Sequence, residues 1–186
     1  SSALRAKMGS SGVVKLYQYH NGNFMEKFTQ KWAIVSLLED VEEGTEFYFT
    51  DFPLHVTLAG VFSTPADKDQ LVHGLAGLLR KQPLIEIEAD EADFFGPNED
   101  IPVMRIKQSG ELKKLHLQIH DWLTSLHVEY NSPQYQGSGY RPHCTVQRNT
   151  SLLPGEQRVL TSVSLIDLFP NNDGYQRKIV KTIQLG

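Results

Sequence analysis

The chain has 186 residues, and its 18 basic and 22 acidic side chains leave a net charge of −4. Its 40% hydrophobic and 22% charged content excludes a disordered chain, and the acidic balance excludes a broadly basic nucleic-acid binder while leaving room for a local basic cleft. One cysteine, Cys144, excludes an internal disulfide framework and a cysteine metal site, and no run approaches the ~18 apolar residues of a membrane helix or reads as a signal peptide. The expectation is a reduced, cytoplasmic globular monomer without a membrane partner.

Residues 1–30 read as an N-terminal tail or extension, with a small, polar, glycine-rich start from Ser1 to Gly12 that points to processing or an added leader. Val13 to Tyr19 can form an appended strand or a loop, broken from Phe24–Phe28 at Gly22. The domain proper spans 31–186. Trp32–Leu38 is a short apolar run suited to a buried strand, followed by an acidic loop at Glu39–Gly44. Leu54–Ala59 is a strand entered through Pro53 and left at Gly60. Asp67–Arg80 has helical spacing, closed by Pro83. Leu84–Ala89 alternates apolar and acidic residues as a half-solvated strand does, and Asp90–Pro102 is expected to be a loop.

The second half opens with a strand at Val103–Lys107. Leu112, Leu115, Leu117, Ile119, Trp122, Leu123 and Leu126 mark a helix ending near His127. A loop rich in Gly, Ser and Pro covers Asn131–Gly139, and Pro142–Gln147 is a strand. Arg158–Phe169 reads as one strand and Lys178–Leu185 as the last. The fold class is α+β, in two sheet-and-helix halves.

Chemistry is carried by two His-x-Thr tripeptides, His55-Val56-Thr57 and His143-Cys144-Thr145, one in each half. In a strand, residues i and i+2 share a face, so each tripeptide presents an imidazole beside a hydroxyl. Imidazole exchanges protons near neutral pH, and a threonine hydroxyl donates to an oxyanion. Two such strands around one phosphate can open or close a phosphodiester by concerted acid–base catalysis with no metal and no cofactor. The tripeptide alone is a weak signal. Its context strengthens it: both copies read His-apolar-Thr-apolar, with a proline within two residues upstream.

Phe52-Pro53-Leu54-His55-Val56-Thr57-Leu58 and Tyr140-Arg141-Pro142-His143-Cys144-Thr145-Val146 resemble the two signature motifs of the 2H phosphoesterase superfamily, which includes the LigT-like 2′-5′ RNA ligases and cyclic nucleotide phosphodiesterases. Phe95-Gly96-Pro97 and Val103-Met104-Arg105 are similar to the family's central turn and strand. Arg148 matches a basic position after the second motif. Ala59-Gly60-Val61-Phe62 departs from the family's aromatic-leucine-glycine. The resemblance implies a bilobal, duplicated fold with both motifs facing a central cleft. It implies hydrolysis, or reversible ligation, of 2′,3′-cyclic or 2′-5′ phosphodiesters of RNA ends or small nucleotides. In it, His55 protonates the leaving oxygen, His143 activates water, and Thr57, Thr145 and Arg148 bind the phosphate.

The remaining candidates have plainer readings. His116 and His120 stand four apart on a helix but lack the acidic residue of a His-Glu-x-x-His site, so they read as packing or surface residues. His20, His73 and His127 read likewise, and Cys144 as buried filler. Asp121 and the acidic loop at Glu39–Glu43 read as solvated charge. Tyr140 and Arg141 are weaker candidates for the cleft mouth. Two alternatives stay open: a non-catalytic nucleotide- or RNA-end-binding module on the same fold, and an unrelated α+β protein in which both tripeptides are structural.

Overall fold

The computed structural model describes residues 5–8, 14–20, 23–28 and 30–186. Strands β1 (Arg5–Met8), β2 (Val14–His20) and β3 (Asn23–Phe28) form an antiparallel sheet in that order. The expected strand from Val13 corresponds to β2, and β1 falls inside the segment read as a polar tail. The expected break at Gly22 lies outside the described residues.

The main sheet begins with β4 (Trp32–Leu37), whose six residues are all buried. An unbroken apolar run suits a strand covered on both faces. Trp32 and Ile34 enter the large core, while Ala33, Val35 and Leu37 face a smaller cluster closed by Val41, Phe47 and Phe52 from the following loop. That loop holds a short strand, β5 (Glu46–Tyr48), which the sequence reading does not contain. Next come β6 (His55–Ser63), helix α1 (Lys68–Leu79), β7 (Ile85–Phe95) and β8 (Ile101–Ile106). Helix α2 (Gly110–Ser125), β9 (Glu129–Tyr130) and β10 (His143–Thr145) follow, then β11 (Gln157–Leu160), β12 (Ser162–Asp167) and β13 (Gln176–Gln184).

These strands run in the order β11-β7-β8-β10-β6-β4-β12-β13-β5, with β9 also on β6, and every registered pairing is antiparallel. The two halves meet between β10 and β6, the motif strands, through the pair Val56↔Cys144. The α+β class and the two-half architecture are as expected.

Both helices start where the sequence places them. Asp67 and Gln70 form a reciprocal capping box at 2.9 Å each way, and the Ser109 hydroxyl accepts from the Leu112 amide. Leu71, Leu75 and Leu79 of α1 and Leu112, Leu115, Ile119 and Leu123 of α2 share one core with Val56, Leu58, Met104 and Cys144. Both halves therefore bury one sheet face against the same helices.

Three expected boundaries are corrected. Gly60 does not end the second strand; β6 continues to Ser63, and a Cβ at Gly60 would stand 3.0 Å from Gln136 Nε2, so the glycine serves a close approach. The acidic run after Ala89 is not a loop. β7 continues through it with a register shift between Ala89 and Ala92, and Asp90, Glu91 and Asp93 surround the Arg105 guanidinium at 3.6, 3.3 and 3.6 Å. Only Gly96–Asp100 turns, starting from Gly96 at φ 93°. Finally, Arg158–Phe169 is two strands: β11 pairs β7, whereas β12 pairs β4 and β13. The chain passes from one half to the other at Thr161, and the lack of any glycine or proline between Arg158 and Phe169 conceals the change of partner.

Gly74 of α1 lies under the indole of Trp122 of α2, where an added Cβ would come within 2.6 Å of the ring. Gly74→Ala gains about 1 kcal/mol of helix propensity but forces a rigid ring out of place at a cost of roughly 1–3 kcal/mol. The net expectation is destabilisation, read as a lower urea midpoint at unchanged slope. A raised midpoint contradicts the packing described.

Candidate active site

Val56 and Cys144 are wholly buried towards the helices, so their neighbours in the two motif strands point to the opposite face. The register sets His55 across from Thr145 and Thr57 across from His143. The imidazoles thus lie on one diagonal and the hydroxyls on the other, and diagonal neighbours in an antiparallel pair stand ~7–8 Å apart. All four side chains are partly exposed. The structure brings His55, Thr57, His143 and Thr145 into one cluster.

The imidazoles are anchored alike. Nδ1 of His55 lies 2.7 Å from the Pro53 carbonyl, and Nδ1 of His143 lies 2.8 Å from the Arg141 carbonyl, each two residues upstream. A carbonyl only accepts, so Nδ1 carries the hydrogen and Nε2 of the neutral ring keeps its lone pair. Each ring also rests on an aromatic: Phe52 at 4.2 Å from His55, and Phe95 edge-on at 4.8 Å from His143.

Their electrostatics differ. Burial pushes His55 down to about 4; the Pro53 carbonyl opposes this, the His143 charge adds to it, and Glu39 opposes it. Burial also lowers His143, against the Arg141 carbonyl and with help from the Arg141 charge. A protonated His143 makes His55 harder to charge, so the pair favours holding one proton.

The chain leaves the flank of β6 after β9 and returns to that flank as β10, and residues 131–142 between them wall a cavity of about 470 Å³ beside Thr57 and His143. Here the Arg141 guanidinium lies between the Phe95 and Tyr135 rings, at 4.5 and 5.0 Å. Tyr140 also lines the cavity and donates its hydroxyl hydrogen to the Thr57 carbonyl at 2.9 Å. Its ring stacks on His116, 3.8 Å between centroids and 4° from parallel.

His116 is fully buried, with Nδ1 2.7 Å from the Leu58 carbonyl and Nε2 accepting the Gly137 amide at 2.9 Å. Both nitrogens are used within the protein, and burial lowers its affinity for a proton. His120 lies 3.3 Å from the Tyr130 hydroxyl. The two are packing residues, and no group of three or more side chains suited to a metal occurs among the described residues.

Arg148 stands apart from the four. It follows β10 in a left-handed conformation, φ 48°, and its Nη2 reaches both Glu39 oxygens at 2.7 and 2.6 Å. Glu39 also accepts the backbone amide of Leu54, next to His55. Burial would raise the Glu39 carboxyl, but the Leu54 amide, Arg148 and His55 together hold it below the usual carboxylate range. Glu39 is therefore not the solvated charge read from the sequence. Its neighbour Glu43 likewise pairs with Lys181 and the Thr182 amide.

Sequence reasoning assigned no role to Phe52, Phe95 and Tyr135 around the rings, nor to His116 beneath the wall. The first two lie within segments the motifs had already marked. Tyr135 and the function of His116 depend on a loop path that no local pattern announces.

A search of curated protein sequences returned no match. Among solved structures, a phosphoesterase shares 16% identity with a TM-score of 0.57, covering 84% of this chain and 98% of that one. LigT of E. coli complexed with NADP+ shares 16% identity at a TM-score of 0.56, covering 84% and 97%, and LigT complexed with 3′-AMP shares 17% at 0.55, covering 84% and 98%. These likenesses show the fold. No helix is long and apolar enough to cross a membrane among the described residues. The family model of the 2′-5′ RNA ligase superfamily matches residues 29–168, three-quarters of the sequence and both motif strands, and the chain belongs to that superfamily of 2H phosphoesterases.

Proposed function

We propose that the cleft opens 2′,3′-cyclic phosphodiesters, at RNA ends or in small nucleotides, by two-histidine acid–base catalysis, and that attack by the hydroxyl of a second RNA end in place of water provides ligation. The observation that carries this reading is the alternation of two imidazoles and two hydroxyls on one face, both rings fixed through Nδ1 and neither Nε2 hydrogen-bonded among the described residues. The phosphate sits among the four. One imidazole takes a proton from water as its oxygen forms the new bond to phosphorus. The other gives a proton to the departing ribose oxygen, leaving a phosphomonoester. Thr57 and Thr145 donate to the non-bridging oxygens, and Arg148, held on Glu39 outside the four, offers its remaining N–H groups to their charge. The nucleoside enters the cavity beside Thr57 and His143, where Phe95, Tyr135 and Arg141 offer flat surfaces. LigT, a protein of similar fold, is complexed with NADP+ and with 3′-AMP, which supports a nucleotide as the class of ligand.

The resemblance makes His55 the acid and His143 the base. Burial tilts the pair the other way, because His55 gives up its proton at about 4 and His143 is displaced less. We therefore assign the proton to His143 in the hydrolytic direction. In ligation a hydroxyl replaces water and the roles stand; reversibility exchanges them when the linkage is cleaved back to the cyclic phosphate.

Alanine at His55 or His143 is expected to lower turnover of a 2′,3′-cyclic nucleotide by roughly 10²–10⁴-fold, since each removes a proton-transfer partner. Alanine at Thr57 or Thr145 is expected to cost about 10–10³-fold. Turnover unaffected in both histidine variants defeats the mechanism. Nucleotide binding by wild type without turnover makes the protein a binding module instead. On a phosphodiester with a nitrophenolate leaving group, which departs without a proton, His143→Ala should recover most of its lost rate and His55→Ala should not. The opposite pattern restores His55 as the acid.

Activity should survive EDTA, because the assigned proton transfers need only side chains. Loss on chelation with recovery on adding a divalent cation would overturn that expectation. The pH profile of kcat/KM reports the free enzyme. His55 must be neutral, so the rate falls as pH drops towards about 4. His143 must be charged, so the rate also falls as pH rises through a value below the ordinary 6.5. The optimum is expected between about 4 and 6.5, and an optimum above pH 7 contradicts the assignment.

A further inference from the structure

We infer that Glu39 is a positioning residue for the phosphate site, holding Arg148 in register with the His55 end of the cleft. This rests on the reading of Arg148 as a phosphate ligand.

Topology brings three segments to one end of β6. β4 runs antiparallel to β6 with Leu37 paired to His55, so Glu39 leaves β4 beside the entry to the first motif. β10 runs antiparallel to β6 on its other side, so its C-terminal continuation, which carries Arg148, arrives at the same end. One carboxylate then binds both: it accepts the Leu54 amide and holds Arg148 Nη2 with both oxygens. The Leu54 amide belongs to the residue before His55, so the contact ties the cation to the backbone that places the imidazole.

Arg148 needs such a tie. Its side chain is 43% exposed, and it follows a strand of only three residues through a left-handed turn. A free arginine of this kind loses rotamer entropy on gripping an anion, and prior restraint removes part of that cost. The restraint leaves the cation usable, because Glu39 engages Nη2 alone and a guanidinium has five N–H donors. Nη1 and Nε make no other hydrogen bond among the described residues.

The opposite role, an internal anion that competes with phosphate, predicts the opposite sign. KM and kcat on 2′,3′-cyclic AMP, and Kd for 3′-AMP by calorimetry, should be measured for wild type, Glu39→Ala, Glu39→Gln, Arg148→Ala and the Glu39→Ala/Arg148→Ala double variant. Glu39→Ala is expected to raise KM and Kd by roughly 5–30-fold, with kcat within about 3-fold, by loss of a preorganised contact. Glu39→Gln keeps an acceptor oxygen and should lie between wild type and alanine. The double variant should bind no worse than Arg148→Ala, because Glu39 acts through that residue.

A lowered or unchanged KM and Kd in Glu39→Ala overturns the inference, as does an undiminished Glu39 effect in the Arg148→Ala background. If Glu39→Ala fails to fold, the glutamine variant and its double with Arg148→Ala decide by the same signs. Wild type without turnover defeats the catalytic reading alone, since 3′-AMP binding still tests the tie. Wild type that neither turns over 2′,3′-cyclic AMP nor binds 3′-AMP overturns both.

Discussion

The site depends on the burial of two side chains that face away from it. Val56 and Cys144 meet at the seam where the halves of the sheet join, and both are fully enclosed by the core under α1 and α2. Because strand side chains alternate, burying these two commits His55, Thr57, His143 and Thr145 to the opposite face. A one-residue slip at the seam would reverse the commitment and place imidazoles among the leucines of both helices. The hydrophobic core thereby sets the register of the polar cluster, and the polar cluster need contribute little to holding itself in place. Substrate contacts can then be optimised without much consequence for folding.

The surroundings of the two histidines combine symmetry with a bias. Each ring is fixed through Nδ1 to a carbonyl two residues upstream and rests on a phenylalanine, an arrangement produced twice by similar local sequence. Arg141 precedes a proline, which favours extended backbone and presents its carbonyl to the ring that follows. The bias comes from outside the motifs: His55 is the more strongly desolvated and has Glu39 nearby, while His143 has the Arg141 charge as a neighbour. Two alike imidazoles thus stand in unequal environments, with His55 held further below its ordinary proton affinity than His143.

Much of this was legible in the sequence where local periodicity and local chemistry agreed. The motif strands, both helices and the doubly buried β4 follow from apolar spacing and from proline and glycine punctuation, and the polar cluster follows from i, i+2 geometry in two strands. What escaped depended on remote partners. The acidic run in β7 looks like a loop until Arg105 from the next strand neutralises it. The division between β11 and β12 is invisible because no glycine or proline separates them and only their neighbours differ. Glu39 looks like one more surface acid among several, and its difference lies in a guanidinium 109 residues further along the chain. β5 is three residues long and takes its pairing from β13 near the other end of the chain.

His116 shows how narrow a structural requirement can be when a side chain bridges two backbone groups of opposite kind. It offers a donor to the Leu58 carbonyl and an acceptor to the Gly137 amide from opposite sides of one flat ring, and that ring is also the platform for Tyr140. An amide side chain has a donor and an acceptor but at the wrong separation. A phenyl ring supplies the platform and neither bond. A lysine or arginine supplies donors alone. Position 116 thus admits one chemical type, the uncharged imidazole, although it never meets the cleft. The integrity of the wall beside Thr57 is encoded at a residue whose neighbours in sequence give no hint of it.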